Sequence, residues 1–233
     1  YGIQAPVLTS TEREVLKLNP RNWIRADKVT VATGKVTALL DKAMPGHMLI
    51  QATAASQAVL AVDPMQGQQP VLAFDGVDDF YDSNLPNTAW TFLHNGLGTF
   101  TAHKFKSNVV GGIQILHRTT ANSAVPGHAL LSSASGPSST QVYSSAGTVL
   151  ISNGSSNTTA SALLAHSFAL ASTPDSRLIE NGATVTTADV SLAPTTGAPQ
   201  FTLRLGAGGN SSPASFFFNG NWAEGIFFDR VLT

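Results

Sequence analysis

The chain lacks cysteine altogether, and charged residues make up only 12% of its 233 positions. The absence of cysteine excludes disulfides, zinc–thiolate centres and cysteine nucleophiles. The charged fraction is about half of the ~25% that is usual for globular domains. A net charge of −1 provides no basic surface for nucleic acid, and no apolar run approaches the ~20 residues of a membrane-spanning helix. These absences predict a protein that neither binds nucleic acid nor inserts into a membrane.

The apolar residues occur in short runs that indicate β-strands rather than helices. Hydrophobic residues form 42% of the chain, which argues against disorder, and clusters of Gly, Pro, Asn and Ser separate the runs. Alternation is clearest in residues 200–205, where Phe201, Leu203 and Leu205 share one face. The pattern predicts an all-β protein, a two-sheet antiparallel β-sandwich. Its strands are expected at residues 36–40, 47–51, 71–74, 98–106, 112–117, 140–143, 148–152, 162–169, 176–180, 200–205, 215–218 and 222–228.

Both ends of the chain carry recognisable local patterns. Residues 10–18 are compatible with a short helix that Ser10 caps, so we expect residues 1–20 to be an N-terminal arm, helix or linker before a β-sandwich at 21–233. Asn-Gly pairs at 181–182 and 219–220 predict two tight hairpins. Because aromatics fill residues 215–228, we expect the last two strands to lie in the middle of a sheet, covered on both faces.

Four stretches in order resemble the concanavalin A-like lectin/glucanase superfamily, in its laminin-G-like branch. They are WIRADKVTVATGKVTALLD at 23–41, PVLAFDGVDDFY at 70–81, LIENGAT at 178–184 and SFFFNGNWAEGIFFDRVLT at 215–233. The resemblance implies a jelly-roll sandwich of two curved antiparallel sheets. Such domains occur as sugar-binding or adhesion modules in bacterial surface proteins and in phage tail and capsid-decorating proteins. The long Ser/Thr/Gly stretch at 118–161 carries no motif of this family.

A group of aspartates is the candidate metal site. Calcium takes six to eight oxygen ligands, and carboxylates crowded into one turn supply several of them. The group comprises Asp75, Asp78, Asp79 and Asp82. The alternative is an ordinary turn, because Asp-Gly at 75–76 is also typical turn composition. The spacing is not that of an EF-hand, so calcium stays a hypothesis at this stage.

Catalytic patterns are missing from the sequence. A glycosidase needs two carboxylates facing each other about 5–10 Å apart, and none of the glutamates has an acid at the spacing of the glucanase relatives. No serine lies in a G-x-S-x-G elbow, and the histidines lack the i, i+4 pairing of a helical zinc site. We therefore predict that the chain is not an enzyme. The glutamates are Glu12, Glu14, Glu180 and Glu224.

Aromatic and amide side chains near turns are candidates for sugar binding. Sugar C–H faces stack on aromatic rings, while hydroxyls need fixed hydrogen-bonding partners on rigid loops. The candidate glycan-binding residues are Tyr81, Trp90, Asn84 and Asn87. For Trp90 a core position is an equally good interpretation. Trp23 and Trp222 are predicted to be core residues.

Three functions follow from these observations. The first is a non-enzymatic structural or adhesion module of a phage virion (capsid decoration or tail) or of a bacterial surface. It would contact other proteins of its assembly or a host surface glycan, as a homo-oligomer or part of a larger assembly. The second is a carbohydrate-binding lectin module assisted by calcium, and the third is a glycoside hydrolase. All three predict a virion, extracellular or cell-surface location.

Overall fold

In the computed structural model, most of the described residues belong to antiparallel β-strands, which confirms the all-β prediction. The described residues are 9–63, 68–94, 97–105, 113–119, 127–133, 138–143, 149–153, 162–168, 176–180, 183–188, 197–208 and 216–230. Within these ranges one α-helix is present, α1 (Ser10–Lys17). Among the same residues, no helix is both long enough and apolar enough to span a membrane.

The described part of the chain forms sixteen strands, and every pairing between them is antiparallel. The strands are β1 (Asn22–Ala32), β2 (Lys35–Asp41), β3 (Met48–Ile50), β4 (Val59–Asp63), β5 (Gln69–Asp75), β6 (Tyr81–Ser83), β7 (Leu97–Phe105), β8 (Ile113–Arg118), β9 (Gly127–Ser133), β10 (Ser138–Tyr143), β11 (Val149–Asn153), β12 (Ala162–Phe168), β13 (Ser176–Glu180), β14 (Ala183–Ala188), β15 (Arg204–Leu205) and β16 (Asn219–Phe228). Short 3₁₀ helices lie at Ala54–Ser56 and Asn87–His94.

The hydrogen bonds join all these strands into one network instead of the two separate sheets predicted. The order along the network is β11-β10-β9-β8-β15-β6-β3-β2-β4-β5-β16-β7-β12-β13-β14, and β1 pairs with both β16 and β2. Strands β1, β2, β4, β5 and β16 therefore close into a ring of five. The two-layer jelly roll remains a prediction.

Strand β16 lies at the centre of the network, as its aromatic composition predicts. It pairs with β1, β5 and β7. Trp222, Phe227 and Phe228 are all buried, and Trp222 and Phe227 belong to the main hydrophobic cluster. A strand flanked on both edges and covered on both faces has room for large side chains on both. The C-terminal sequence is aromatic because this strand closes the ring.

Several local predictions are corrected by the structure. Residues 216–218 are not a strand, and Phe216 has a positive φ of 59°. Asn219-Gly220 opens β16 instead of forming a hairpin turn. Only Arg204–Leu205 of the strand predicted at 200–205 pairs. Asn181-Gly182 lies outside the described residues, although Glu180 pairs with Ala183 across it, as a two-residue hairpin requires.

Helix α1 begins one residue earlier than the sequence predicts. Thr9, not Ser10, is the N-cap residue, because its side chain accepts a hydrogen bond from the Glu12 backbone N–H. The Glu12 carboxylate in turn accepts from the Thr9 backbone N–H at 2.8 Å, which completes a capping box. Glu12 also forms ion pairs with Arg25 of β1 and with Lys42, which follows β2, so α1 contacts the sheet.

Candidate functional site

Four neighbouring strands present a mixed apolar and charged face to the outside. Along each strand, alternate side chains point to opposite sides. Leu39, Leu49, Tyr81 and Leu205 are buried in the core, so the adjacent residue on each strand points away from the core. These outward residues are Leu40, Ile50, Asp82 and Arg204. We call this surface the Arg204 face.

Arg204 is held in a fixed orientation on this face. Its Nε and Nη2 donate to the two carboxylate oxygens of Asp82 at 2.7 and 2.9 Å. The guanidinium carbon lies 4.6 Å from the ring centroid of Phe80 and 5.6 Å from that of Phe201. A bidentate ion pair flanked by two aromatic rings lowers the entropy cost of using the remaining Arg204 nitrogen, Nη1, to bind a ligand.

A second arginine lies beside the first. Arg118 of β8 is the direct cross-strand partner of Arg204 of β15, so both side chains are on the same side of the sheet. Arg118 is only 7% exposed, so Arg204 is the arginine of this pair that a ligand reaches. Arg204 is paired with Asp82 through Nε and Nη2, and its Nη1 is the donor that the Arg204 face offers to an anionic group.

The predicted aromatic platform for a sugar is absent. Tyr81 is fully buried, donates its hydroxyl hydrogen to the Val36 carbonyl at 2.9 Å and accepts from the Ala58 N–H at 3.0 Å. Trp90 is also fully buried, donates its indole N–H to the Thr202 hydroxyl at 3.0 Å and packs against His47. Both rings belong to the core, because their large apolar area is removed from water there. This corrects their assignment as glycan-binding residues.

The two predicted amide ligands brace loops. The Asn84 side chain accepts from the Met48 N–H and donates to the Gly46 carbonyl, both at 3.0 Å. The Asn87 side chain donates to the Pro199 carbonyl at 2.8 Å. Asn84 thus connects the end of β6, two residues after Asp82, to the turn before β3. Its role in the structure is to position the Arg204 face.

Three of the four predicted metal-binding aspartates come together. Each of Asp75, Asp78 and Asp79 offers a carboxylate oxygen, and these oxygens lie within 4.8 Å of one another. Two oxygens already accept backbone hydrogen bonds: Asp75 Oδ1 from Val77 at 2.8 Å and Asp79 Oδ2 from Asp75 at 3.0 Å. Hard oxygen donors fit calcium, although three carboxylates alone fall short of its usual coordination. Asp82 is not in this group, because its carboxylate pairs with Arg204.

The acidic group is electrostatically strained at Asp79. Burial raises the pKa of the Asp79 carboxyl to about 6, and the negative charges of Asp75 and Asp78 add to this, while the Asp75 N–H and Lys35 oppose it. Desolvation and like charges both disfavour the ionised form. A bound cation would lower the pKa of the Asp79 carboxyl, because its positive charge would favour the ionised form of the carboxylates.

A Ser–His–Asp arrangement lies beneath the face, where sequence patterns did not indicate one. His47 Nδ1 is 2.6 Å from Asp41 Oδ2, and His47 Nε2 is 3.0 Å from Ser83 Oγ. With Nδ1–H donating to the carboxylate, Nε2 accepts from the serine hydroxyl. The His47 and Asp41 side chains have no exposed surface, and Ser83 Oγ accepts from the Leu85 N–H. Asp41 at the end of β2, His47 just before β3 and Ser83 at the end of β6 thus form a buried connection between these three strands.

No protein-family model and no curated protein matches the sequence. In structure, the chain is similar to the CBM40 module of the Ruminococcus gnavus IT-sialidase, with a TM-score of 0.54 and 15% identity over 70% of this chain and 91% of that one. The same module bound to α2,6-sialyllactose gives a TM-score of 0.50 at 15% identity, over 70% and 92% of the two chains. Trypanosoma rangeli sialidase in complex with sialic acid gives 0.58 at 12% identity, over 98% of this chain but only 32% of that one. The similarity establishes a shared β-rich, lectin-like fold.

The residues of the Arg204 face carry little local signal in the sequence. Arg204 and Arg118 are 86 positions apart and meet only through the pairing of β15 with β8. The one available hint is Arg204 itself, a charged residue in the alternating segment 200–205. The laminin-G-like assignment remains a prediction, since the structural similarity is to CBM40 and sialidase domains.

Proposed function

We propose that this chain is a carbohydrate-binding module that binds an acidic glycan on the Arg204 face. The observation that supports it most directly is the similarity to a CBM40 module that was determined with α2,6-sialyllactose. A jelly-roll arrangement of the strands into two layers is part of the proposal. The module would act outside the cell or at a cell surface, without catalysis of its own.

The Arg204 face offers the chemistry that such a ligand needs. A sialic acid carries a carboxylate, and Arg204 is an arginine held in place by Asp82 whose Nη1 is the donor for such a group. Leu40 and Ile50 are 40% and 39% exposed on the same face, which provides apolar area for C–H groups. A binding site for a small molecule usually combines an apolar surface with a small number of polar groups.

The test is a titration with α2,3- and α2,6-sialyllactose, with lactose as the ligand lacking the carboxylate. We expect Arg204→Gln to weaken binding of sialyllactose at least about tenfold, because a charged hydrogen bond contributes about 1.5–3 kcal/mol. Arg21→Gln is the matched control, since Arg21 also stacks on a ring, Phe92, and pairs with an acid, Asp229, elsewhere on the surface. Equal affinity for lactose and sialyllactose, or an unaffected Arg204→Gln variant, would refute the proposal.

Calcium assistance forms a second part of the proposal, supported by the convergence of Asp75, Asp78 and Asp79. A cation that binds only the folded state raises the unfolding temperature in proportion to the logarithm of its concentration. We expect millimolar Ca²⁺ to raise the midpoint of thermal unfolding of the wild type but not that of Asp78→Asn. Asp229→Asn is the control and should respond as the wild type does. An identical response of all three proteins would rule out this cation site.

A structural role in a larger assembly is the second candidate function, and one surface favours it. Val59, Leu60 and Val62 of β4 are 46%, 38% and 56% exposed, an unusual density of exposed apolar side chains for one strand. Multi-angle light scattering across a concentration series tests self-association. A mass above 24.3 kDa that returns to that value in Val62→Lys would support an assembly through β4. A monomer at every concentration would contradict a homo-oligomer.

A further inference from the structure

The contact between helix α1 and the sheet has the form of a ligand in a binding site. One oxygen of the Glu12 carboxylate, Oε1, accepts a hydrogen bond from Lys42 Nζ and lies 3.3 Å from Arg25 Nη1. The other oxygen, Oε2, completes the capping box with Thr9. The lysine hydrogen bond is the main cause that lowers the pKa of Glu12 to about 2. A single carboxylate is thus bound by two cations from the sheet.

The surface beneath Glu12 combines these cations with an indole ring. Lys42 Nζ lies 4.8 Å from the ring centroid of Trp23, and the Arg25 guanidinium carbon lies 5.8 Å from it. Trp23 is buried but is not part of the main hydrophobic cluster, which contains its neighbour Ile24. Trp23 therefore points to the opposite side of β1, toward the helix. We call Trp23, Arg25 and Lys42 the Trp23 site.

Two further acids face the same site and limit its charge. Asp27 Oδ2 is 3.0 Å from Arg25 Nη2, and Glu224 Oε1 is 3.9 Å from Arg25 Nε. The Glu224 carboxylate also accepts the Trp23 indole N–H. With Glu12 removed, Lys42 Nζ and Arg25 Nη1 are the two donors left facing the place of its carboxylate. Two donors facing one position suit a singly charged carboxylate, with one oxygen between the two cations. They do not suit a highly charged anion.

The helix that covers the site is attached mainly by polar contacts. None of the residues of α1 is fully buried. Displacement of the helix from the sheet would therefore expose little additional apolar surface to water. At its C-terminal end, Arg230 donates to the carbonyls of Leu18 and Asn19. Release of α1 would uncover the Lys42 side chain, which is only 7% exposed while Glu12 covers it.

We propose that the Trp23 site is a second carboxylate-binding site, which Glu12 occupies as an internal ligand and which takes the carboxylate of an acidic sugar when α1 is displaced. The choice of a sugar rests on the proposed function, whereas the two-cation geometry does not. The indole beside the cations suits the C–H face of a pyranose ring. Because the site is covered, its apparent affinity is lowered by the fraction of molecules in which Glu12 is bound.

The test uses Glu12→Gln in an Arg204→Gln background, so that the Arg204 face does not contribute. Glutamine still completes a capping box, so the helix is retained while the charge is removed. N-acetylneuraminic acid is titrated, and binding is followed by the indole N–H resonance of Trp23. We expect binding at least about tenfold tighter in the double variant than in Arg204→Gln alone. The methyl ester of the same sugar, which has no carboxylate, is expected not to bind.

Two control variants separate this site from a general effect of charge. Glu14→Gln removes another acid from α1, one whose carboxylate reaches only Lys17 of the same helix, and should leave the titration unchanged. Adding Lys42→Met to the double variant should abolish the gain. Tighter binding of the sugar acid in Glu14→Gln as well, or unchanged binding in Glu12→Gln, would overturn the inference.

A second measurement does not depend on any substitution. In the wild type, saturating sugar acid should accelerate amide hydrogen exchange in residues 10–17, because the ligand displaces Glu12. If exchange is unchanged although the site is shown to be saturated, the displacement is contradicted. The outcomes also separate the two proposals. Sialyllactose binding lost in Arg204→Gln, with a silent Trp23 site, overturns only this inference. Binding at the Trp23 site alone overturns only the role of the Arg204 face.

Discussion

Asp41 and Glu12 are both carboxylates that organise several strands, but they do so in opposite surroundings. The Asp41 side chain has no exposed surface and accepts from five donors, the side chains of Asn22 and His47 and the backbone N–H groups of Trp23, Ala43 and Met44. Glu12 lies on helix α1, and its carboxylate meets two cationic side chains. The first network holds core strands together, and the second attaches a helix with no fully buried residue.

The difference between the two networks concerns what happens when each carboxylate is lost. Buried N–H groups deprived of their acceptor keep the full cost of desolvation. The Lys42 and Arg25 side chains are 7% and 22% exposed, and they would regain water once α1 moved away. We therefore expect loss of Asp41 to destabilise the fold far more than loss of Glu12, as the proposed exchange of Glu12 for another anion requires.

The largest expected effect is that of Asp41→Ala. It removes the acceptor of five donors in a site without exposed surface, so we expect a loss of about 3–5 kcal/mol in the free energy of unfolding. Urea denaturation followed by tryptophan fluorescence measures it. Asp229→Ala, at a partly exposed ion pair with Arg21, should cost about 0.5 kcal/mol or less. Similar losses for the two variants would contradict the central role given to Asp41.

Asp79 sharpens the comparison, because it is a buried carboxylate with few donors. Its pKa in the folded protein, about 6, lies above its ordinary value of 3.8. The folded state therefore holds more protons than the unfolded state between these values, and stability falls as pH rises through this window. We expect Asp79→Asn to be more stable than the wild type by about 1–3 kcal/mol at pH 7.

The measurement is urea denaturation of both proteins at pH 4 and pH 7, with EDTA present to exclude bound cations. The advantage of Asp79→Asn should be present at pH 7 and largely absent at pH 4. An advantage that is the same at both pH values would show that the charge of Asp79 is not its cause.

The smallest expected effect is that of Glu12→Gln. The pKa of Glu12 is lowered from 4.5 to about 2, so its contribution to stability is present above pH 4.5 and is lost as pH falls toward 2. For an ion pair at the surface we expect a difference of about 1 kcal/mol or less at pH 7. The difference between wild type and variant should shrink between pH 4.5 and 2. A loss as large as that of Asp41→Ala would remove the distinction between the two networks.

Local patterns in the sequence predicted the strands whose apolar runs are bounded by turn residues. Segments such as 71–74 and 222–228 were assigned correctly for this reason. Strands β1, β4, β6, β9 and β14 are not among the predicted strands, and β1 is the longest strand of the described residues. β6 is three residues long, too short for a periodic pattern, and the apolar residues of β4 are largely exposed, so they do not alternate.

The candidate site was less predictable than the fold. Of the predicted ligands, Asp75, Asp78 and Asp79 do come together, since they lie in one turn and need only local geometry. Tyr81 and Trp90 resemble binding-site aromatics in sequence, yet both are in the core. Burial depends on what packs against a ring, and for Trp90 one hydrogen-bonding partner is Thr202, 112 positions away.

By itself, the sequence determined an antiparallel all-β chain with an aromatic last strand and little surface charge, because strand formation depends on short-range alternation and turn residues. Only the tertiary structure decided that Arg118 lies opposite Arg204, that Asp41, His47 and Ser83 share a buried network, and that Glu12 binds between Lys42 and Arg25. Each of these arrangements joins residues from different strands or from a helix and strands. Their contacts depend on which elements pack together, which short-range alternation does not encode.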